Sequence, residues 1–308
     1  MKKHPVLKIE HMNITFTQYE RGLRQVELPV IRDLNVEVHA GEVVAVAGSS
    51  GSGKSLLAHG VMGVLPYNAS MGGQISYCGE KLTEKKLKKL RGSEIVIVPQ
   101  SISYLNPLKQ IGSQICKGDK SKTKKKKLQE IFNRYDLKPE VETLYPFELS
   151  GGMNRRVLIS TAMIESPRLV IADEPTPGLD LRAAKRAMEH FRELAAQGAA
   201  VLVITHDLEL ALETVDKIVV FYAGTTIEEA SVKDFEQEET LRHPYTKALW
   251  RAMPRNGFQF IEENQPYVKE LPRGCPFVKQ CSMQKEDCKK DVQNRMVRGG
   301  LVRCLCAE

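Results

Sequence analysis

One stretch constrains this chain more than any other: Gly48-Ser49-Ser50-Gly51-Ser52-Gly53-Lys54-Ser55, directly after the apolar run Val43–Ala47. The run reads as a buried parallel strand, and the segment after it as a tight loop that opens a helix. Glycines let the loop curl until its N–H groups face the β- and γ-phosphates of a nucleotide. Lys54 adds a point charge, and Ser55 can ligate Mg²⁺ at the start of the helix. The chain is thus committed to a phosphate-holding sheet covered by helices, with its ligand at the carboxyl ends of the strands.

Two later segments narrow the chemistry. Leu149-Ser150-Gly151-Gly152-Met153 places a small, open turn at the head of a helix. Leu169-Val-Ile-Ala is a strand closed by Asp173, with Glu174 and Pro175 following at once. A carboxylate at Asp173 sits near Mg²⁺ without facing bulk water. Glu174 can then polarise the water that attacks a γ-phosphate. An acid pair after a strand is often only a helix cap, but the phosphate loop upstream favours the catalytic reading. Gln100 follows a strand ending at Val98, and His206 follows one ending at Thr205. Either alone would be a surface cap; together, in this order, both fall on the catalytic edge.

This order of motifs resembles the ATP-binding cassette (ABC) ATPases. The resemblance implies that Ser55, Gln100 and Asp173 surround Mg²⁺ and that His206 holds the γ-phosphate. It implies that Ser150, Gly151 and Gly152 close over the ATP of a second subunit. Pro177-Gly178-Leu179-Asp180 matches the family's D-loop, which crosses the dimer interface, with Gly178 where an alanine is usual. Adenine should stack on an aromatic upstream of the phosphate loop. Tyr19 is the first candidate, and Phe16 the alternative, being equally suited to a core strand.

The expected fold is α/β: a P-loop ABC ATPase domain with a helical subdomain, plus a small C-terminal domain containing cysteines. Alternating strands at Val6–Phe16 and Val30–Val38 precede the phosphate loop, and helical periodicity runs between Leu108 and Ile164. Strand–helix alternation then resumes, with strands at Leu169–Ala172, Ala200–Thr205 and Lys217–Tyr222. From about Phe235 the pattern breaks into short helices, prolines and cysteines. These shifts place an ABC nucleotide-binding domain at 1–234, its helical subdomain at about 101–165, and a further domain at 235–308.

Composition excludes several classes. No apolar stretch approaches the ~20 residues of a membrane span, and no apolar region follows Met1-Lys-Lys-His-Pro5, so a cytosolic protein is expected. The net charge of +7 is concentrated in Lys117–Lys127 and Lys81–Arg91. Without interleaved aromatics these runs read as solvated faces, or less readily as an anionic-lipid contact, and no nucleic-acid partner is expected.

A closer resemblance covers nearly the whole chain. Leu149–Met153, Leu105-Asn106-Pro107, Tyr222-Ala-Gly224 with Ile227-Glu228-Glu229, and His243-Pro244-Tyr245-Thr246 followed by Gly274-Cys275-Pro276-Phe277 look like the ATP-binding subunits of oligopeptide, dipeptide and nickel importers. Met153 is typical of the D-type subunit, which pairs with a paralogous ATPase. The resemblance therefore implies ATP hydrolysis at the cytoplasmic face of the membrane, energising two permease subunits fed by an external substrate-binding protein. Two departures touch the coupling contacts: the Gln100–Pro107 segment is one residue short, and Asn154-Arg155-Arg156 replaces the usual basic-Gln-Arg. The rival readings are a soluble ABC ATPase without a transport role and an ATPase regulated by redox chemistry in its tail.

Seven cysteines in a chain with no secretory signal suggest thiols or metal rather than disulfides. Cys78 and Cys116 stand alone. Cys275, Cys281, Cys288 and Cys304 suit an iron–sulfur cluster or zinc, with Cys306 as a spare ligand, although their intervals are wider than zinc ribbons prefer. The importer resemblance implies a four-iron four-sulfur (4Fe-4S) cluster.

Overall fold

The computed structural model describes residues 4–20, 22–49, 51–259 and 265–308. Its strands are β1 (Leu7–Glu20), β2 (Arg24–Val38), β3 (Val43–Ala47), β4 (Ala69–Tyr77), β5 (Glu80–Lys81), β6 (Ile95–Val98), β7 (Leu169–Asp173), β8 (Ala200–Thr205), β9 (Lys217–Tyr222), β10 (Thr225–Ser231), β11 (Arg295–Val297) and β12 (Gly300–Val302). The helices are α1 (Lys54–Met62), α2 (Glu84–Leu90), α3 (Ile111–Ile115), α4 (Lys122–Arg134), α5 (Gly151–Met163), α6 (Leu181–Ala196), α7 (Leu208–Leu212) and α8 (Pro244–Ala252).

The centre is a parallel sheet in the order β9-β3-β8-β7-β6. β3, β7 and β8 are buried at every position, because helices or strands cover both faces. Side chains alternate across the sheet: Val43, Ala45 and Ala47 enter one core, Val44 and Val46 the other. The second core is closed by α1 and by the antiparallel strands β1, β2 and β4. In β1 the buried Leu7 and Ile9 alternate, and an irregularity at His11, φ +52°, shifts the alternation to Met12 and Ile14. That hairpin is longer than the sequence suggests, with Tyr19 paired to Gln25 and Glu20 to Arg24. Polar side chains there hide the strand from hydrophobic pattern reading.

Helices α3, α4 and α5 and three short 3₁₀ turns fill the chain between β6 and β7, where the helical subdomain is expected. The lysine run forms the first half of α4, capped by Ser121 and burying only Leu128, Ile131 and Phe132. The second basic run lies on β5 and α2, where only Leu87 is buried. Both fit a solvated face.

The tail is tied to the sheet. β12 adds to β10 through Glu228↔Val302 and Glu229↔Leu301. Cys275, Phe277, Val278, Cys288 and Val292 share a single core with β3, β7 and α6. At the junction Glu228, fully buried, accepts the backbone N–H of Arg242 at 2.9 Å and of His243 at 2.8 Å, and pairs with the Arg242 guanidinium at 3.3 Å. Arg242 reaches on to the carbonyls of Val297 and Arg298. Breaking such a buried pair from one side costs about 3–5 kcal/mol. The segment after 235 therefore shares the main core of the cassette and adds a small cluster of its own around Val302, Cys304 and Ala307.

Candidate functional site

Four strand ends converge on one edge of the sheet. The phosphate loop leaves β3, and Gly53 at φ +91° turns the chain into α1. Gly48 must be glycine, because a Cβ there would stand 2.1 Å from the Phe221 carbonyl oxygen. Lys54 is buried, and its ammonium donates to the carbonyls of Gly48 at 2.9 Å and Ser49 at 2.7 Å, with Ser52 Oγ at 3.4 Å. Burial pushes the Lys54 ammonium below its ordinary pKa, opposed by the charges of Glu174 and Asp173. Gly51 also takes a positive φ, of +77°. Ser50 lies outside the described residues.

From the first helical turn, Ser55 Oγ donates to Asp173 Oδ1 at 3.0 Å. Asp173 is buried at the end of β7, and burial raises its carboxyl above the usual aspartate value. A hydroxyl and a carboxylate oxygen so placed are hard donors of the kind Mg²⁺ takes, with water and phosphate oxygens completing its shell.

Glu174 departs from the strand conformation. Its φ is +44°, a region that costs a non-glycine residue about 1–3 kcal/mol, while its N–H still donates to the Ile204 carbonyl at 2.9 Å. The bend turns the carboxylate toward its neighbours' ends. Gln100 Nε2 donates to Glu174 Oε2 at 3.0 Å, and His206 Nδ1 lies 3.2 Å from Oε1. Both sequence-predicted partners are thus gathered on one carboxylate.

The residues expected to face a partner subunit behave differently. Ser150 caps α5, its hydroxyl accepting from the Met153 N–H at 3.4 Å. Gly151 is exposed, and a Cβ there would meet nothing within 4 Å. Asp180 caps α6 through the Ala183 N–H at 2.9 Å, so its carboxylate already has a structural duty. Gly152, Gly178 and Asp180 line one groove. Among the described residues, the side chains of Ser150 and Asp180 bond to their own helices.

Tyr19 is 64% exposed near the tip of the β1–β2 hairpin, its hydroxyl accepting from Gln25 at 2.8 Å. Phe16 is partly buried against the second core. An open ring face is what base stacking requires, which leaves Tyr19 the better placed of the two.

Three features lie beyond the motif reading. Arg155, buried on α5, donates to the Pro99 carbonyl at 3.3 Å, one residue before Gln100. Burial pushes its guanidinium down, against the pull of Glu174 and Asp173. Tyr104 hydrogen-bonds His59 at 2.7 Å, linking the segment after Gln100 to α1. Ser49 donates to Gln265 Oε1 at 2.7 Å, a contact from the tail.

The cysteines gather elsewhere. Cys275, Cys281, Cys288, Cys304 and Cys306 line one enclosed pocket with His243. The Cys306 backbone N–H donates to the Cys304 sulfur at 3.3 Å, and the Cys306 thiol donates to the Met283 carbonyl at 3.1 Å. Burial raises the Cys275 thiol to about 12. Among the described residues no three His, Cys, Asp or Glu side chains converge closely enough to hold a single ion.

The ABC transporter family model matches residues 31–177, and a model described as the oligopeptide/dipeptide transporter C-terminal region matches residues 227–288. The oligopeptide transport ATP-binding protein OppD of Escherichia coli (strain K12) is 34% identical over 301 residues, covering 92% of this chain and 87% of the relative. The dipeptide transport ATP-binding protein DppD of Bacillus subtilis (strain 168) is 31% identical over 313 residues, covering 95% and 91%. A solved dimeric bacterial ABC transporter cassette superposes with a TM-score of 0.63 at 26% identity, covering 73% of this chain and 98% of that one.

Proposed function

The chain belongs to the ATP-binding subunits of oligopeptide and dipeptide ABC importers, and from that membership we propose how its residues hydrolyse ATP to energise peptide uptake. The observation that carries the reading is the junction of Ser55, Asp173, Glu174, Gln100 and His206 at one sheet edge. Lys54 and the N–H groups of the phosphate loop, from Gly48 to Ser55, hold the phosphates, and Tyr19 stacks on adenine. Ser55, Asp173 and Gln100 would hold Mg²⁺, which would supply charge neutralisation on the phosphates. Gln100 and His206 exchange their contacts with Glu174 for the attacking water and the γ-phosphate. Glu174, released, accepts the water's proton as the bond to phosphorus forms and that to ADP breaks.

The exposed Ser150-Gly151-Gly152 turn supports a nucleotide-sandwich dimer. Each subunit closes the other's site, and Asp180 sits at the interface. Met153 favours a paralogous ATPase as the partner, with two permease subunits in the membrane and an external binding protein supplying cargo. Among the described residues no helix is long and apolar enough to cross a membrane, which supports a peripheral place on the cytoplasmic face. The relatives' peptide names favour peptide over nickel as cargo. The division at residue 234 is one of role: nucleotide chemistry before it, support after it.

The cysteine pocket is assigned a 4Fe-4S cluster on Cys275, Cys281, Cys288 and Cys304. The support is the donor set: four sulfurs around one pocket, with the Cys306 N–H aimed at one of them. A cluster takes one thiolate per iron, so its ligands stand around a core and need not converge on one point. When bound, it would supply a covalent staple for a tail rich in short turns.

Pull-down from native membranes tests the assembly. The expected result is this chain with a paralogous ATPase and permease subunits. Recovery of a homodimer only, with full ATP-coupled transport alongside the permease alone, would overturn the pairing.

A further inference from the structure

Arg155, Leu158, Ile159 and Ala162 follow the i, i+3, i+4, i+7 spacing of one helix face, and all four are buried on α5. The last three join the core that holds Val96 and Val98 of β6. At the first place of this stripe, where an apolar side chain would satisfy packing, stands a guanidinium whose residue is only 8% exposed. A cation taken out of water is unfavourable unless it finds an acceptor. Arg155 finds the Pro99 carbonyl, to which Nη1 donates at 3.3 Å. Its neighbour Arg156 serves another end, donating to the carbonyls of Tyr135 at 3.2 Å and Asp136 at 3.0 Å beyond α4.

The identity of that acceptor matters. The Pro99 carbonyl belongs to the peptide unit whose nitrogen is that of Gln100. A peptide unit is planar, so a donor that fixes its C=O also fixes the direction in which the chain enters Gln100. Pro99 is buried just beyond β6, whereas Gln100 is exposed, so the chain leaves the core within one residue. The proline ring holds φ on the inner side of this step, and Arg155 holds the peptide on the outer side. From there Gln100 Nε2 reaches Glu174 Oε2 at 3.0 Å. A continuous line of contacts thus runs from α5 through the Pro99 carbonyl and Gln100 to Glu174.

We propose that Arg155 is a positioning residue for ATP hydrolysis, acting through the Pro99 carbonyl to aim the Gln100 side chain. The proposal rests on the reading that Gln100 and Glu174 serve the hydrolytic step. It deepens that reading by giving the aim of Gln100 to a buried cation on a different element of the fold. Arg155 reaches the peptide before Gln100 and not the reacting atoms, so its loss should slow hydrolysis while ATP binding persists.

The test uses the assembled transporter and measures kcat and KM for hydrolysis beside equilibrium ATP binding. Arg155→Met keeps an apolar stem for the core and removes the donor. It should lower kcat by about ten-fold, the worth of one hydrogen bond from a charged group, with KM and ATP affinity unchanged. In a Gln100→Ala background the same substitution should cost nothing further, because both residues act along one line of contacts. Should Arg155→Met fail to fold, Arg155→Gln carries the test: its amide suits a polar site but ends well short of the place of Nη1, so the same fall in kcat is expected. Unchanged kcat in whichever folded variant is measured overturns the proposal, as does a raised KM at constant kcat or full additivity beside Gln100→Ala. If Gln100→Ala itself hydrolyses ATP at the wild-type rate, the underlying reading falls. A slow Gln100→Ala with silent Arg155 variants removes this inference alone.

Discussion

Gln100 and Glu174 meet at 3.0 Å through Nε2 and Oε2, joining the end of β6 to the end of β7. In the proposed mechanism, this contact occupies the oxygen that accepts a proton from water. With His206 on the other oxygen, it holds the carboxylate in place while the backbone bears an unfavourable φ. Replacing Gln100 by Ala should lower kcat for ATP hydrolysis by about 10²-fold while changing KM only slightly, because the lost interaction matters mainly in the transition state. Steady-state kinetics on the assembled transporter give the answer. A raised KM at unchanged kcat would show that Gln100 serves binding alone.

Lys54 makes a pH prediction. Its folded pKa lies below the ordinary 10.5, so the unfolded chain binds the proton more tightly. The stabilising contribution is present above 10.5 and is lost as pH falls through the lowered folded value; at neutral pH the buried ammonium is a cost. Lys54→Met should therefore leave the nucleotide-free protein folded, with Tm within about two degrees of wild type. It should also abolish the rise in Tm on adding ATP. Between pH 9 and 10.5, wild type should gain stability relative to the variant in thermal scans. A relative loss over that window would mean that the site stabilises the ammonium.

The nucleotide chemistry was legible because its residues are contiguous or end strands of unmistakable apolar character, as Asp173 does. What could not be read are relationships set by packing. Arg155 looks like one basic residue in a helix, and only the placement of α5 against the end of β6 sends it to the Pro99 carbonyl. β10 was missed because Glu228 and Glu229 interrupt its apolar pattern. Glu228 is buried there only because Arg242 and two backbone N–H groups from the tail satisfy it. Composition alone does not reveal that β12 returns to the main sheet.

The cysteine assignment predicts a colour and a count. Protein purified without oxygen should be brown, with broad absorption near ~400 nm and about four irons per chain. Cys281→Ser or Cys288→Ser should bleach it and open the tail to proteolysis, while ATP binding through Lys54 largely persists. Iron analysis and limited proteolysis check this together. Colourless anaerobic protein with no metal would return these residues to ordinary buried thiols.

The most direct test of the catalytic account is the hydrolysis rate of the assembled transporter carrying Glu174→Gln, measured beside equilibrium ATP binding. The amide keeps the side chain's size but cannot take the water's proton. The account predicts retained ATP affinity, hydrolysis reduced by about 10²–10⁴-fold, and accumulation of the closed ATP-bound dimer. Hydrolysis at the wild-type rate with ATP bound would contradict it, and would move the base to another residue or the active site to the partner subunit.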